Sequence, residues 1–150
     1  MSSELEILTR ILVALSLGAL VGAERQWRSR GAGLRTNALV SLGSALFVIL
    51  GAYAFAGVDA DPTRVAAQVA SGIGFIGAGV ILKEGESVSG LNTAASLWAS
   101  AAVGCLAGGG LYGVAATGAL CIVAGNVFLR KIAAAIDSID SASETYPRSE

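Results

Sequence analysis

Val65-Ala-Ala-Gln68-Val-Ala-Ser71-Gly72-Ile73-Gly74-Phe75-Ile76-Gly77-Ala-Gly79-Val-Ile-Leu82 runs eighteen residues without a charge and contains four glycines. In water this would be a poor helix, because each interior glycine costs roughly 1 kcal/mol relative to alanine. In a bilayer it is a reasonable one. Backbone groups there must bond within the segment, and small residues let neighbouring helices approach closely. The stretch therefore places the chain in a membrane.

The rest of the sequence extends this reading. Hydrophobic residues make up 54%, charged residues only 14%, and the mean hydropathy is +0.69. No Asp, Glu, Lys or Arg occurs from Thr36 to Val58 or from Val88 to Leu129, runs of 23 and 42 residues. A helix needs about 20 residues to cross the hydrocarbon, so these correspond to one and two crossings. Gly108-Gly109-Gly110 divides the longer run as a tight turn. With Leu5 to Ala23, interrupted only by Glu6 and Arg10, the pattern predicts an all-α membrane protein. Its five transmembrane helices cover about 5–23, 38–57, 64–82, 91–107 and 111–129, followed by a short tail over 131–150.

Basic residues orient the bundle. Arg25, Arg28, Arg30 and Arg35 after the first span, Lys83 after the third, and Arg130, Lys131 and Arg148 after the fifth share one side. The opposite side holds Arg64, with Arg10 inside the nearby end of the first span. An N-terminus outside and a C-terminus in the cytoplasm follow. Glu4 and Glu6 replace the positive flank of a signal peptide, so none is expected.

Helix faces carry two kinds of pattern. Small residues recur four apart at Ala14, Gly18 and Gly22, at Ser96, Ser100 and Gly104, and at Gly113, Thr117, Cys121 and Gly125. These predict close packing, within one bundle or between protomers. So many small faces on five helices leave contacts unused, which predicts a homodimer. Polar residues form two stripes: Arg64, Gln68 and Ser71 on the third helix, and Asn92, Ser96 and Ser100 on the fourth. Such groups either bond across helices or line a hydrated cavity, with Gln68 and Asn92 facing it. The third-helix glycines Gly72, Gly74, Gly77 and Gly79 either pack closely or break the helix to expose backbone.

Several residues have local explanations. Glu6 and Arg10, four apart, neutralise each other. Ser3-x-x-Glu6 resembles a capping box, and Asp61-Pro62 a helix N-cap followed by proline in the first turn. Cys105 and Cys121 should differ in depth by about 10 Å, which argues against a disulfide. Ile132, Ile136 and Ile139 share a face beside Asp137 and Asp140, predicting a fifth helix that continues into the cytoplasm against the inner surface. Ser141 to Glu150 reads as disordered. The match of Gly72-Ile-Gly74-Phe-Ile-Gly77 to a dinucleotide fingerprint fails, since it lies inside an uncharged span with no acidic residue about 20 positions later. No cofactor is expected. The absence of histidine excludes Ser-His catalysis and most zinc or iron sites. Nucleic-acid binding is not expected either, because membrane orientation accounts for the arginines.

In these residues the chain resembles the MgtC/SapB family of bacterial inner-membrane proteins. The resemblance rests on Gly22-Ala-Glu24-Arg25, Gly33-Leu-Arg35-Thr36, Asp61-Pro62-Thr-Arg64 through Gln68, Ser71 to Lys83, and Gly90-Leu-Asn92-Thr93 with Trp98 downstream. It implies a multi-pass protein of the bacterial plasma membrane. It also implies a candidate polar site of Glu24, Arg25, Arg35, Thr36, Asp61, Arg64, Gln68, Ser71, Asn92, Thr93 and Trp98. Read locally, the arginines anchor to the membrane, Asp61 caps, Gln68 to Thr93 bond between helices, and Trp98 packs inside. Some family members are tied to growth in low magnesium and to virulence. A soluble C-terminal regulatory domain is frequent among them and is not expected here, and Asn37 and Asn92 depart from the usual family residues. The functional expectation is a modulator of other inner-membrane proteins, with no catalysis. The alternative is a transporter or channel for a small ion such as Mg2+, a cation that prefers carboxylate oxygen and keeps its waters.

Overall fold

A computed structural model of the protein describes residues 3–29, 31–53 and 61–144. The described residues form α1 (Ser3–Trp27), α2 (Leu34–Tyr53), α3 (Pro62–Val80), a hairpin of β1 (Leu82–Glu84) and β2 (Ser87–Ser89), α4 (Leu91–Gly108) and α5 (Tyr112–Glu144). The described residues are thus all-α apart from the hairpin. By length and composition α1, α2 and α5 can each cross a membrane. The other two are shorter, 19 residues in α3 and 18 in α4.

Packing centres on α4, which touches each of the other four helices. The strongest contacts join α2 to α1 and to α4; α3 lies against α2 and α4, and α5 against α1 and α4. The shared core is made of small residues: Ala14, Val21, Ala45, Val103, Ala107, Ala115 and Ala119. Large apolar side chains such as Phe47, Leu120 and Phe128 point outward. Small inside and large outside is the arrangement expected where lipid, rather than water, surrounds the helices.

Glycine permits the closest approaches. A Cβ on Gly104 would lie 2.0 Å from the Ser41 carbonyl oxygen, and one on Gly18 2.5 Å from the Ser41 Cβ. Gly22 meets the Leu34 backbone, and Gly108 that of Ala45. The stripes on α1 and α4 therefore seat α2 between them. The α5 stripe behaves differently: Gly113 has no neighbour within 4 Å and Cys121 is exposed, while Ala115 and Ala119 form the buried face. Gly72, Gly74 and Gly79 likewise meet nothing within 4 Å, and Gly77 makes only ordinary contact with Ala94. No helix break occurs there, since α3 is continuous to Val80. Both cysteines are free.

Helix ends follow local chemistry. At the α4–α5 turn the Gly110 N–H donates to Ala107 O and the Leu111 N–H to Leu106 O, with Gly110 at φ +81°. This is a Schellman closure, which glycine allows without strain. Arg10 holds the same turn from α1: it pairs with Glu6, donates to Gly108 O at 2.8 Å and lies over the Tyr53 ring. The side chain of Ser3, the other half of the expected capping box, lies outside the described residues.

Boundaries depart from the sequence reading in three places. The third helix stops at Val80 rather than residue 82, because Leu82 to Ser89 pair as an antiparallel hairpin with Leu82 opposite Ser89. Gly85, at φ +61°, takes the first central position of its two-residue turn, where such hairpins need positive φ. The second helix is displaced toward the N-terminus and begins at Leu34, since Gln26 Oε1 accepts from the Leu34 N–H at 3.0 Å. The fifth continues in one helix through Glu144, so Ser141 to Glu144 are helical rather than disordered; Ile132, Ile136 and Ile139 are exposed along it. Arg30, residues 54–57 of the expected second span, and 145–150 with Arg148 lie outside the described residues, as do the side chains of Asp137 and Asp140.

Candidate functional site

The sequence-predicted site residues fall into two regions and a remainder. The first region surrounds Arg25, near the end of α1, whose side chain is only 4% exposed. Its guanidinium donates to Ser96 Oγ at 2.9 Å, Thr93 Oγ1 at 2.8 Å, Ala32 O at 3.3 Å and Asn92 O at 3.4 Å. A planar fork with five N–H groups suits such divergent acceptors, which a lysine would not reach. Arg25 thereby ties the α1–α2 loop to the first turns of α4. Ala32 sits there at φ +34°, a left-handed conformation costly for a residue with a Cβ. Its carbonyl accepts from both Arg25 and Asn37.

Asn37 continues the polar seam one turn into α2. It is fully buried, donates to Ala32 O at 2.7 Å and Gly33 O at 2.9 Å, and accepts from Ser100 Oγ at 2.8 Å. One turn further, Ser41 donates to Ala14 O at 2.7 Å. Sequence reasoning treated Asn37 only as a departure from the family pattern and did not single out Ser41. The signal was present, because an amide inside an uncharged span needs a partner. The polar face of α4 is thus divided. Ser96 and Ser100 bond between helices, whereas the Asn92 side chain, at the helix start, is exposed and contributes its backbone carbonyl.

Beside this seam, Glu24 is ion-paired with Arg28 and accepts from Asn126 Nδ2 of α5 at 3.4 Å. It therefore joins α1 to α5 and faces away from the Arg25 cluster.

The second region is a groove of about 660 Å3 between α2 and α3. Arg35, Thr36, Gln68 and Gly72 line it, together with Leu39, Phe47 and other apolar side chains. Asn92 is not among its lining residues, so Gln68 and Asn92 do not share a central pocket. The reason is topological. Gln68 stands twelve residues before the end of α3, about 18 Å along the axis, whereas Asn92 is the second residue of α4 beyond the hairpin.

Of the remainder, Asp61 caps α3. Its Oδ1 accepts from the Thr63 hydroxyl at 2.6 Å and the Thr63 N–H at 2.9 Å. Those bonds, the hydroxyl first, hold the Asp61 carboxyl below the ordinary aspartate range. Arg64 and Ser71 are exposed on α3 outside the groove. Trp98 is 57% exposed rather than packed inside, because the opposite face of α4 is occupied by Ser96, Leu97 and Ser100. Among the described residues, no three His, Cys, Asp or Glu side chains converge on a metal-sized site.

Residues 11–135 match the model of the MgtC family. The chain is 53% identical over 132 residues to an uncharacterized protein of Synechocystis, an alignment covering 88% of this chain and 56% of that protein. It is 49% identical over 138 residues to Protein MgtC of Salmonella paratyphi A, covering 92% and 58% respectively. With Protein MgtC of Brucella abortus the identity is 56% over 119 residues, covering 79% and 49%. The chain spans about half the length of these relatives. No solved structure matches it. With its family match running from the middle of α1 into the extended α5, the chain belongs to the MgtC family.

Proposed function

We propose that this chain is a five-span protein of the bacterial inner membrane, N-terminus outside and C-terminus in the cytoplasm, that modulates other membrane proteins. One observation carries the reading: the polar groups inside the bundle are spent on joining its own helices. Arg25, Asn37, Ser41 and Ser100 all bond across elements, and these bonds leave α1, α2 and α4 a fixed unit. Meanwhile α3 keeps Gly74, Gly79 and a Phe75 that is 85% exposed outside the groove. A rigid frame with a smooth, glycine-bearing outer helix suits helix-to-helix contact with another membrane protein or a second copy. The setting that the family resemblance implies is adaptation to low magnesium or to a host. The chain acts by binding, not by catalysis.

Transport of a small ion such as Mg2+ draws on the groove between α2 and α3. Its lining places the cation Arg35 among mostly apolar side chains, an environment that repels a hydrated divalent ion.

The test is capture of partners by cross-linking in membranes of cells grown in low magnesium, with the parent and a Gly74→Leu variant. Recovery of a distinct membrane protein that Gly74→Leu loses supports the proposal. Recovery of this chain alone in both cases contradicts it.

A further inference from the structure

The groove between α2 and α3 has a chemical polarity of its own. At one end stand Arg35 and Thr36, in the first turn of α2. Arg35 is exposed and has no ion pair or side-chain hydrogen bond among the described residues. Behind it the lining turns apolar through Leu39, Val40, Phe47, Val69 and Ile73, with the Gln68 amide as the polar exception. The one hydroxyl well inside, Ser44, is satisfied by Val40 O at 2.8 Å. From Arg35 to Phe47 the groove follows twelve residues of α2, about 18 Å. That is little more than the depth of one leaflet of a hydrocarbon core about 30 Å thick.

We infer that this groove is a binding site for an anionic phospholipid of the cytoplasmic leaflet. Its phosphate is held by Arg35 and Thr36, and one acyl chain lies along the α2–α3 cleft. Charge complementarity selects the headgroup. A guanidinium beside a hydroxyl offers a fork of donors to phosphate oxygens, and among the described residues no carboxylate pairs with it or lines the groove. Apolar burial selects the tail, and the volume lies within the roughly 300–1,000 Å3 of small-molecule sites. The site rests on the membrane placement proposed above. It is independent of whether a protein partner is modulated.

Gly43 supplies a way to close the groove without touching its charge. It lines the cleft, and a Cβ there would meet no atom within 4 Å. The experiment is native mass spectrometry of the full chain extracted from membranes and offered phosphatidylglycerol or phosphatidylethanolamine. Parent, Arg35→Gln, Gly43→Leu and Arg130→Gln proteins are compared, the last removing a basic residue of α5 remote from the groove. The parent should retain phosphatidylglycerol preferentially. Arg35→Gln should cut that retention by about fivefold, the worth of one cation near the membrane surface. Gly43→Leu should abolish it, with Arg130→Gln unchanged. Equal retention of both lipids, an equal loss in Arg130→Gln, or a Gly43→Leu protein that still holds the lipid would each overturn the site. So would a Gly43→Leu effect seen only as a loss of dimer. A chain recovered without detergent would instead refute the membrane reading itself.

Discussion

Arg25 of α1 and Ser96 of α4, seventy-one residues apart in sequence, meet through a buried hydrogen bond of 2.9 Å. Around that contact the α1–α2 loop, α1 and α4 share one guanidinium. Removing it takes a donor from the Ser96 and Thr93 hydroxyls, while the Ala32 carbonyl keeps its bond from Asn37. Arg25→Ala should lower the unfolding free energy of the detergent-solubilised protein by about 2–3 kcal/mol, the cost of unsatisfied buried polar groups. Arg25→Lys should recover only part, since an ammonium cannot span the same acceptors. Unchanged stability in both variants would remove Arg25 from the framework.

Asn37 and Ser100 form a separable pair. A double-mutant cycle of Asn37→Ala and Ser100→Ala should give a coupling of about 0.6 kcal/mol, and no more than about 1.7, the range for hydrogen bonds between membrane helices. Asn37→Ala alone should be the more damaging single change, because it also releases Ala32 O and Gly33 O.

The glycines sort into two groups by what surrounds them. Gly104→Ala would bring a methyl to 2.0 Å from Ser41 O, on a backbone with nowhere to move. A loss of about 3 kcal/mol, the upper end for overpacking, is expected. Gly79→Ala, with nothing within 4 Å, should be neutral or slightly stabilising. Equal effects at the two positions would mean that α2 does not lie between α1 and α4 as described.

Asp61 makes the start of α3 sensitive to acid. The Thr63 hydroxyl and N–H lower its folded pKa, so the cap contributes fully above the ordinary aspartate range. That contribution is lost as pH falls through the lowered folded value. The protection factors of the Thr63 and Arg64 amides, corrected for the intrinsic pH dependence of exchange, should fall on acidification. Asp61→Asn, still able to cap, should show no such dependence.

Charge geography made the helical nature and approximate number of elements readable, because long uncharged runs have few other physical uses. It located hydrocarbon better than helix ends. At α2 the helix starts at Leu34, before the uncharged run, since an arginine on the first turn can stay at the surface. The hairpin was missed although Gly85-Glu86 is a recognisable turn, because three-residue strands carry too little periodicity. Of the predicted site, Arg25 and Thr93 meet in one cluster and Arg35, Thr36 and Gln68 in one groove. Spacing along a helix reveals a face but not its neighbour, so the separation of Gln68 from Asn92 and the burial of Asn37 emerged only from packing.

The proposed topology puts the Arg25–Arg35 side and the hairpin in the cytoplasm. In a background with Cys105→Ala and Cys121→Ala, Glu86→Cys at the hairpin turn and Leu111→Cys at the α4–α5 turn can be probed with a membrane-impermeant thiol reagent. The account requires Leu111→Cys to label in intact cells and Glu86→Cys to label only after the inner membrane is opened. Labelling of Glu86→Cys from outside intact cells would contradict it.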